Sequence, residues 1–94
     1  MPRYVIERDI PEIGSAERDA LRAASQKSNS VLARMQSESK SIQWQHSYVA
    51  ANKTFCIYLA ASEALIFEHA ERSGFPATVV TEVPKMIDPV TADS

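Results

Sequence analysis

Residues that bind metals or form disulfides are scarce in this chain, whose 94 residues include one cysteine, two histidines and one tryptophan. A lone cysteine cannot form an internal disulfide, which predicts a reducing, cytoplasmic environment for the protein. The sequence also lacks the CxxC and HExxH spacings that mark common zinc sites. A metal site can therefore be sought only among residues that folding brings together.

Long runs of one kind of residue are absent as well. No stripe of Lys and Arg accompanies the net charge of −2, and nucleic-acid binding needs such cations to neutralise phosphates. No apolar stretch approaches the roughly 18 residues of a membrane span, and the first residues contain no apolar signal region. We therefore expect a protein that binds neither nucleic acid nor membrane.

The length of the chain predicts one domain over residues 1–94. A hydrophobic fraction of 45% and a charged fraction of 23% are ordinary for a globular protein. A domain of this size buries only about 60–65% of its unfolded surface, so its own core is small. Contact with a partner subunit is therefore a plausible source of further stability.

The spacing of apolar residues predicts the secondary structure. Short β-branched and alternating segments predict strands at residues 4–8, 42–49, 54–58 and 78–83. Apolar residues at steps of three and four predict a first helix, capped by Ser15 and running to about Gln36, and a second helix over 63–73. Gly74 and Pro76 then stop the second helix, and residues 87–94 are expected to form an extended tail.

The order strand, helix, strand, strand, helix, strand predicts an α+β, ferredoxin-like βαββαβ fold. Right-handed crossovers place the strands in the order 4-1-3-2 in an antiparallel sheet, with both helices on one face. The other face, called the open face below, is left uncovered. A bare apolar face on a small domain is usually covered by a partner subunit or lines a ligand cleft, and we expect one of these two roles for the open face.

The hairpin register decides which side chains share the open face. A two-residue loop at residues 51–52 would need positive φ at both positions, which Ala51 resists, whereas a three-residue loop at 50–52 needs it only at Asn52. The second loop is favoured, and it places His46 opposite Cys56. Alternation then directs Phe55, Ile57 and Leu59 towards the helices, and it directs the following residues to the open face: Glu7, Trp44, His46, Tyr48, Cys56 and Tyr58.

This register predicts a metal site. Directly opposed residues on antiparallel strands have Cβ atoms roughly 4.5–5.5 Å apart, so His46 and Cys56 would be able to bind one ion, with Glu7 as a third ligand. Such a set suits zinc, nickel or copper. The alternative is that Cys56 is a small buried apolar residue and His46 a hydrogen-bonded interface residue.

Three aromatic residues and the second histidine complete the candidates. Trp44, Tyr48 and Tyr58 would either line a small-molecule cleft or pack in the dimer interface. His69 lies on a helix face that points to the covered side of the sheet. A structural role as a buried, hydrogen-bonded histidine is favoured there, and a role as a metal ligand is the secondary alternative. Nucleophilic catalysis by Cys56 is disfavoured because no helix N-terminus lowers its pKa, so an enzyme is not expected.

Seven segments carry a resemblance to a known family: YVIER at 4–8, WQHSYV at 44–49, FCIY at 55–58, EHA at 68–70, GFP at 74–76, TEV at 81–83 and IDP at 87–89. Together they resemble a family of small bacterial proteins, formerly a domain of unknown function and now often named nickel-binding proteins. The resemblance implies a ferredoxin-like fold, a homodimer and nickel binding. His46, Cys56 and His69 match recurrent positions of that family.

The favoured hypothesis is a cytoplasmic nickel-binding protein that sequesters or buffers the ion without catalysis, other divalent transition metals remaining possible. Two alternatives stay open. One is a dimeric α+β barrel that binds or converts a small molecule in a cleft on the open face. The other is a structural dimer whose open faces pack together without any ligand.

Overall fold

The computed structural model describes residues 1–93, which form one four-stranded sheet with two helices on one side of it. In chain order the elements are β1 (Arg3–Asp9), a short 3-10 helix (Ile13–Ser15), α1 (Arg18–Ser37), β2 (Ile42–Val49), β3 (Lys53–Ala60), α2 (Glu63–Ser73), β4 (Val79–Glu82) and a second 3-10 helix (Pro89–Asp93).

The sheet has the strand order β2-β3-β1-β4, and all three pairs of neighbouring strands are antiparallel. This confirms the predicted α+β, ferredoxin-like fold. Strands β1 and β3 lie at the centre of the sheet, so a side chain on either strand has neighbours on both sides. Strand β2 is at an edge of the sheet and pairs with β3 alone.

The helices follow the prediction closely at α2 and less closely at α1. Helix α2 has the predicted bounds, and Gly74 ends it with φ of 80°, a left-handed conformation that glycine adopts without strain. Ser15 does not cap α1, because it belongs to the preceding 3-10 helix; Glu17 occupies the N-cap position instead. The predicted extended tail contains the 3-10 helix Pro89–Asp93, while Ser94 lies outside the described residues.

The hydrophobic core lies between the helices and one face of the sheet. Burial of these apolar side chains is the main source of stability in a fold of this kind. The centre of the core consists of Tyr4, Ile6, Leu32, Met35, Ile42, Cys56, Tyr58, Ala60 and Ile66.

The predicted hairpin register was wrong. His46 lies opposite Ile57, and Cys56 lies opposite Ser47. The pairing is irregular between Trp44 and His46, where a β-bulge at Gln45 adds one residue to β2. Because of this bulge, Trp44 and His46 point to opposite faces of the sheet although they are two residues apart.

The loop between β2 and β3 explains the error. The backbone N–H of Ala50 donates to the carbonyl of Lys53 (2.8 Å), which closes the two-residue loop rather than the three-residue loop that the local sequence favours. Neither loop residue needs a left-handed conformation, since only Glu12 and Ser39 among the non-glycine residues of 1–93 have positive φ.

Contacts from the segment after β1 stabilise this loop instead. The N–H of Gly14 donates to the carbonyl of Ala51 (2.9 Å), and the N–H of Glu12 donates to the side-chain oxygen of Asn52 (2.9 Å). Gly14 is needed for the close approach, because a Cβ there would lie 2.8 Å from the carbonyl oxygen of Ala50. Tertiary hydrogen bonds therefore override the local turn preference.

The two faces of β3 are reversed relative to the prediction. Ile6 lies opposite Cys56, and opposed residues of an antiparallel pair share a face, so Cys56 and Tyr58 point towards the helices. The burial of alternate residues of β3, beginning with Thr54, agrees with this assignment. The larger apolar side chains of β3 lie half-buried on the open face: Phe55, Ile57 and Leu59.

Candidate functional site

The open face carries His46, Tyr48 and Glu7, as predicted. The rings of His46 and Tyr48 are 5.2 Å apart between centroids and nearly perpendicular. Both side chains are exposed to solvent at the β2 edge of the sheet. The imidazole of His46 is therefore accessible to an ion or to a second molecule.

Glu7 lies on the same face as His46 but not beside it. It belongs to β1, whereas His46 belongs to β2, and β3 separates the two strands. Strands are about 4.8 Å apart, so these positions are separated by roughly 10 Å across the sheet. The carboxylate of Glu7 instead accepts a hydrogen bond from the ammonium of Lys53, with Nζ 3.2 Å from Oε1.

Cys56 is on the helix side and cannot share an ion with His46. Its side chain is 6% exposed, and its Sγ lies 3.4 Å from the hydroxyl of Thr54. The predicted trio of His46, Cys56 and Glu7 is thus not brought together. Within residues 1–93 no three His, Cys, Asp or Glu side chains are grouped so that one chain could hold a metal ion.

Trp44 and Tyr58 are also on the helix side, which corrects their predicted place on the open face. They lie opposite each other on β2 and β3. Tyr58 is 3% exposed, and burial raises the pKa of its hydroxyl. Of the three aromatic residues predicted to line a cleft on the open face, only Tyr48 lies there.

His69 faces the core, as the helix pattern predicted. It is 1% exposed, and its Nε2 lies 3.2 Å from the hydroxyl of Ser28 on α1. Burial, with a smaller contribution from the positive charge of Arg8, lowers the pKa of His69 to about 4. The imidazole is therefore neutral at physiological pH, and its Nδ1 is buried without a hydrogen-bond partner among the described residues.

A cavity of about 210 Å³ opens between the N-terminal half of α1 and the helix side of the sheet. Trp44, Cys56 and Tyr58 line its floor, and Leu21 and Ser28 of α1 cover it. The cavity was not predicted, because the sequence patterns placed these strand residues on the other face.

Arg8 also lines the cavity, and sequence reasoning gave it no role. It follows Tyr4 and Ile6 at the period of a strand, so its position on the helix side was available from the alternation alone. A charged residue that continues an apolar face is the signal that was missed. The side chain of Arg8 is 3% exposed.

No long apolar helix is found in residues 1–93, and none of their helices would be able to cross a membrane. The longest helix, α1, has 20 residues but carries several charged and polar side chains.

Comparisons with known proteins place the chain in a family. A family profile described as nickel responsive protein SCO4226-like matches residues 4–83. The crystal structure of SCO4226 from Streptomyces coelicolor A3(2) is similar to this chain, with a TM-score of 0.72 and 18% sequence identity, over 90% of this chain and 99% of that chain. At this identity the likeness shows a shared fold alone. No curated protein matches the chain.

The family match extends from β1 to the residue after β4 and thus includes the whole sheet and both helices. The resemblance seen in the sequence segments is thereby confirmed: the chain belongs to the nickel-responsive SCO4226-like family.

Proposed function

We propose that the protein is a cytoplasmic nickel-binding protein that sequesters or buffers the ion as a homodimer and catalyses no reaction. The observation that carries this proposal is the match of residues 4–83 to a family described as nickel-responsive. Coordination by side chains is the most direct chemistry by which so small a protein responds to an ion.

His46 is the proposed ligand. Imidazole nitrogen suits Ni²⁺ well, and His46 is exposed on the open face. His69 is buried and hydrogen bonded to Ser28, so the proposal does not include it. Cys56 is left out as well, because it is buried on the opposite side of the sheet.

One imidazole is not sufficient for tight binding, and residues 1–93 of one chain group no three donors together. The proposal therefore draws the remaining ligands from water and from the open face of a second copy, which carries its own His46 and Glu7. A homodimer formed through this face is thus part of the proposed site.

The chemistry of the open face supports a second copy as its partner. Val5, Phe55, Ile57 and Leu59 form a half-buried apolar centre, and Tyr48 and Val79 are 63% and 45% exposed. Contiguous exposed apolar surface of this kind marks an interaction site. A self-complementary face also meets the requirement of a two-fold dimer, in which the same patch serves both subunits.

Replacing His46 with alanine is expected to weaken nickel binding by at least about tenfold, because it removes the one exposed imidazole of the described chain. Calorimetric titration of the purified full chain with Ni²⁺ measures the effect. Gln45→Ala, at the exposed neighbouring position, is the matched control and should bind as the wild type does. Cys56→Ser should also keep the affinity, and no thiolate-to-nickel absorption band should develop.

Two results of this titration would count against the proposal in different ways. Equal affinity of the wild type and His46→Ala would reject His46 as a ligand. Failure of the wild type to bind nickel at all would reject the proposed function itself.

Replacing Ile57 with glutamate is expected to convert the dimer into a monomer. Ile57 lies at the centre of the open face, between His46 on β2 and Val5 on β1. An unpaired carboxylate buried at that point would cost several kcal/mol. Sedimentation equilibrium of the full chain measures the molecular mass.

Phe67→Glu is the control for this variant. Phe67 is 47% exposed on α2, on the other side of the molecule, and its replacement should leave the dimer intact. A monomeric wild-type chain, or loss of the dimer in Phe67→Glu alone, would be incompatible with pairing through the open face.

A further inference from the structure

The cavity between α1 and the sheet is large enough for a single-ring molecule. Its volume is about 210 Å³, and an apolar cavity of about 150 Å³ is enough to take benzene. Leu21, Ala24, Trp44 and Tyr58 give it a largely apolar lining. A molecule with one aromatic ring and one substituent would therefore fit.

Arg8 is the charged group of this cavity. Its Nη1 donates to the carbonyl of Pro76 (2.9 Å) and, more weakly, to that of Phe75 (3.4 Å). The guanidinium carbon lies 5.8 Å from the centroid of the Tyr58 ring. These contacts fix the side chain, yet its Nη2 is buried with no hydrogen-bond partner in residues 1–93.

The charge of Arg8 has no counterion in the part of the chain that is described. None of the ion pairs there includes Arg8, although its side chain is almost completely buried. A guanidinium remains protonated in proteins, so it cannot relieve the cost of burial by losing a proton. A buried, unpaired cation is normally matched by an anion.

We propose that this cavity binds a small monocarboxylate with an apolar, single-ring body, and that Arg8 holds the carboxylate. Arginine is the side chain best suited to bind carboxylates, and the Nη2 of Arg8 has no hydrogen-bond partner in residues 1–93. The hydroxyls of Ser28 and Thr54 also line the cavity and offer further hydrogen bonds. This site is separate from the proposed nickel site, which lies on the other face of the sheet.

Trp44 provides a direct signal for binding, because it lines the cavity and is the only tryptophan of the chain. Titration of the metal-free full chain with benzoate should change its fluorescence and saturate with a dissociation constant on the order of 1 mM or tighter. Benzyl alcohol, which keeps the ring and lacks the charge, should bind about tenfold more weakly or worse. Inorganic phosphate is the third probe and should not saturate.

Arg8→Gln is expected to weaken benzoate binding by about tenfold or more. Arg3→Gln is the matched control, since it makes the same change of charge on the same strand but on the open face, and it should bind as the wild type does. If Arg8→Gln does not fold, Ala24→Leu provides a second variant: it fills the cavity from α1, keeps Arg8 and should abolish binding.

Nuclear magnetic resonance of the two histidines provides a second measurement, which shows whether benzoate binds in the cavity. His69 contacts Tyr58 and Ser28, which both line the cavity. Bound benzoate should therefore shift the imidazole resonances of His69 and leave those of His46 unchanged. The proposal is overturned if benzoate does not saturate below about 10 mM, a range that covers weak small-ligand sites. It is equally overturned if neither variant weakens binding, or if phosphate binds as well as benzoate.

Discussion

Lowering the pH from 7 to 4 is expected to destabilise the protein through His69 by about 3 kcal/mol. The imidazole is buried between α1 and β3, where Ser28, Tyr58 and Arg8 face it. Burial and the nearby guanidinium both disfavour a second positive charge. These two effects lower the pKa of His69 in the folded state from 6.5 to about 4.

The direction of this effect follows from proton binding. The unfolded chain takes up a proton at His69 near pH 6.5, whereas the folded chain does so only near pH 4. The contribution of the neutral imidazole to the free energy of unfolding is therefore fully present above pH 6.5 and is lost as the pH falls towards 4. The loss of about 3 kcal/mol is a large part of the 5–15 kcal/mol that holds a typical domain folded.

Urea denaturation at several pH values measures the loss, and the informative quantity is the difference between the wild type and His69→Gln. The variant has no imidazole to protonate at this position, so its stability should fall less steeply between pH 7 and 4. Ser28→Ala keeps the imidazole and should keep the steep dependence. Identical pH dependence in the wild type and His69→Gln would show that His69 does not cause the loss.

The second large effect is expected for Ile66→Ala, which should lower the free energy of unfolding by about 2–5 kcal/mol. Ile66 is 1% exposed and packs in the core between α2 and the sheet. The substitution removes three buried carbon atoms and leaves a cavity that the surrounding side chains fill only in part. Urea denaturation at pH 7 measures the change.

Phe67→Ala is the matched control, because Phe67 follows Ile66 on the same helix and is 47% exposed. It removes a larger side chain than Ile66→Ala but should cost less than about 1 kcal/mol, since about half of that surface already contacts water and the residue lies outside the buried core. A larger loss in Phe67→Ala than in Ile66→Ala would contradict the orientation of α2 in this fold.

The sequence was a good guide to the elements and to their order. The helix pattern placed Ile66 and His69 on the inner side of α2, and Gly74 marked its end. Apolar residues at steps of three and four lie on one face of a helix, so they identify its buried face without further information. The strand order then followed from the handedness of the crossovers.

The sequence was a poor guide to the faces of β3. Phe55, Ile57 and Leu59 are together more apolar than Thr54, Cys56, Tyr58 and Ala60, and an alternating pattern assigns the more apolar set to the core. In the structure both sets are at least partly shielded from water. The helices cover Thr54, Cys56, Tyr58 and Ala60, and neighbouring side chains of the open face partly cover Phe55, Ile57 and Leu59. When both faces of a strand are apolar, alternation alone does not identify the inner one.

The proposed sites differ in how much the sequence revealed of them. His46 was identified from its residue type and was correctly placed on the open face. Its pairing with Cys56 was wrong, because the two-residue loop at residues 51–52 sets a register in which His46 lies opposite Ile57. The role of Arg8 depends on a cavity, and a cavity is a property of packing between elements that are distant in sequence.

The amino-acid sequence by itself determined the secondary structure, the strand order and the family, because each depends on local spacing or on the order of segments. The tertiary structure decided the hairpin register and therefore which side chains face water, the core or each other. The physical reason is that the loop at Ala51 and Asn52 takes its conformation from hydrogen bonds to Glu12 and Gly14. Those partners lie some 40 residues away in the chain, and no local pattern includes them.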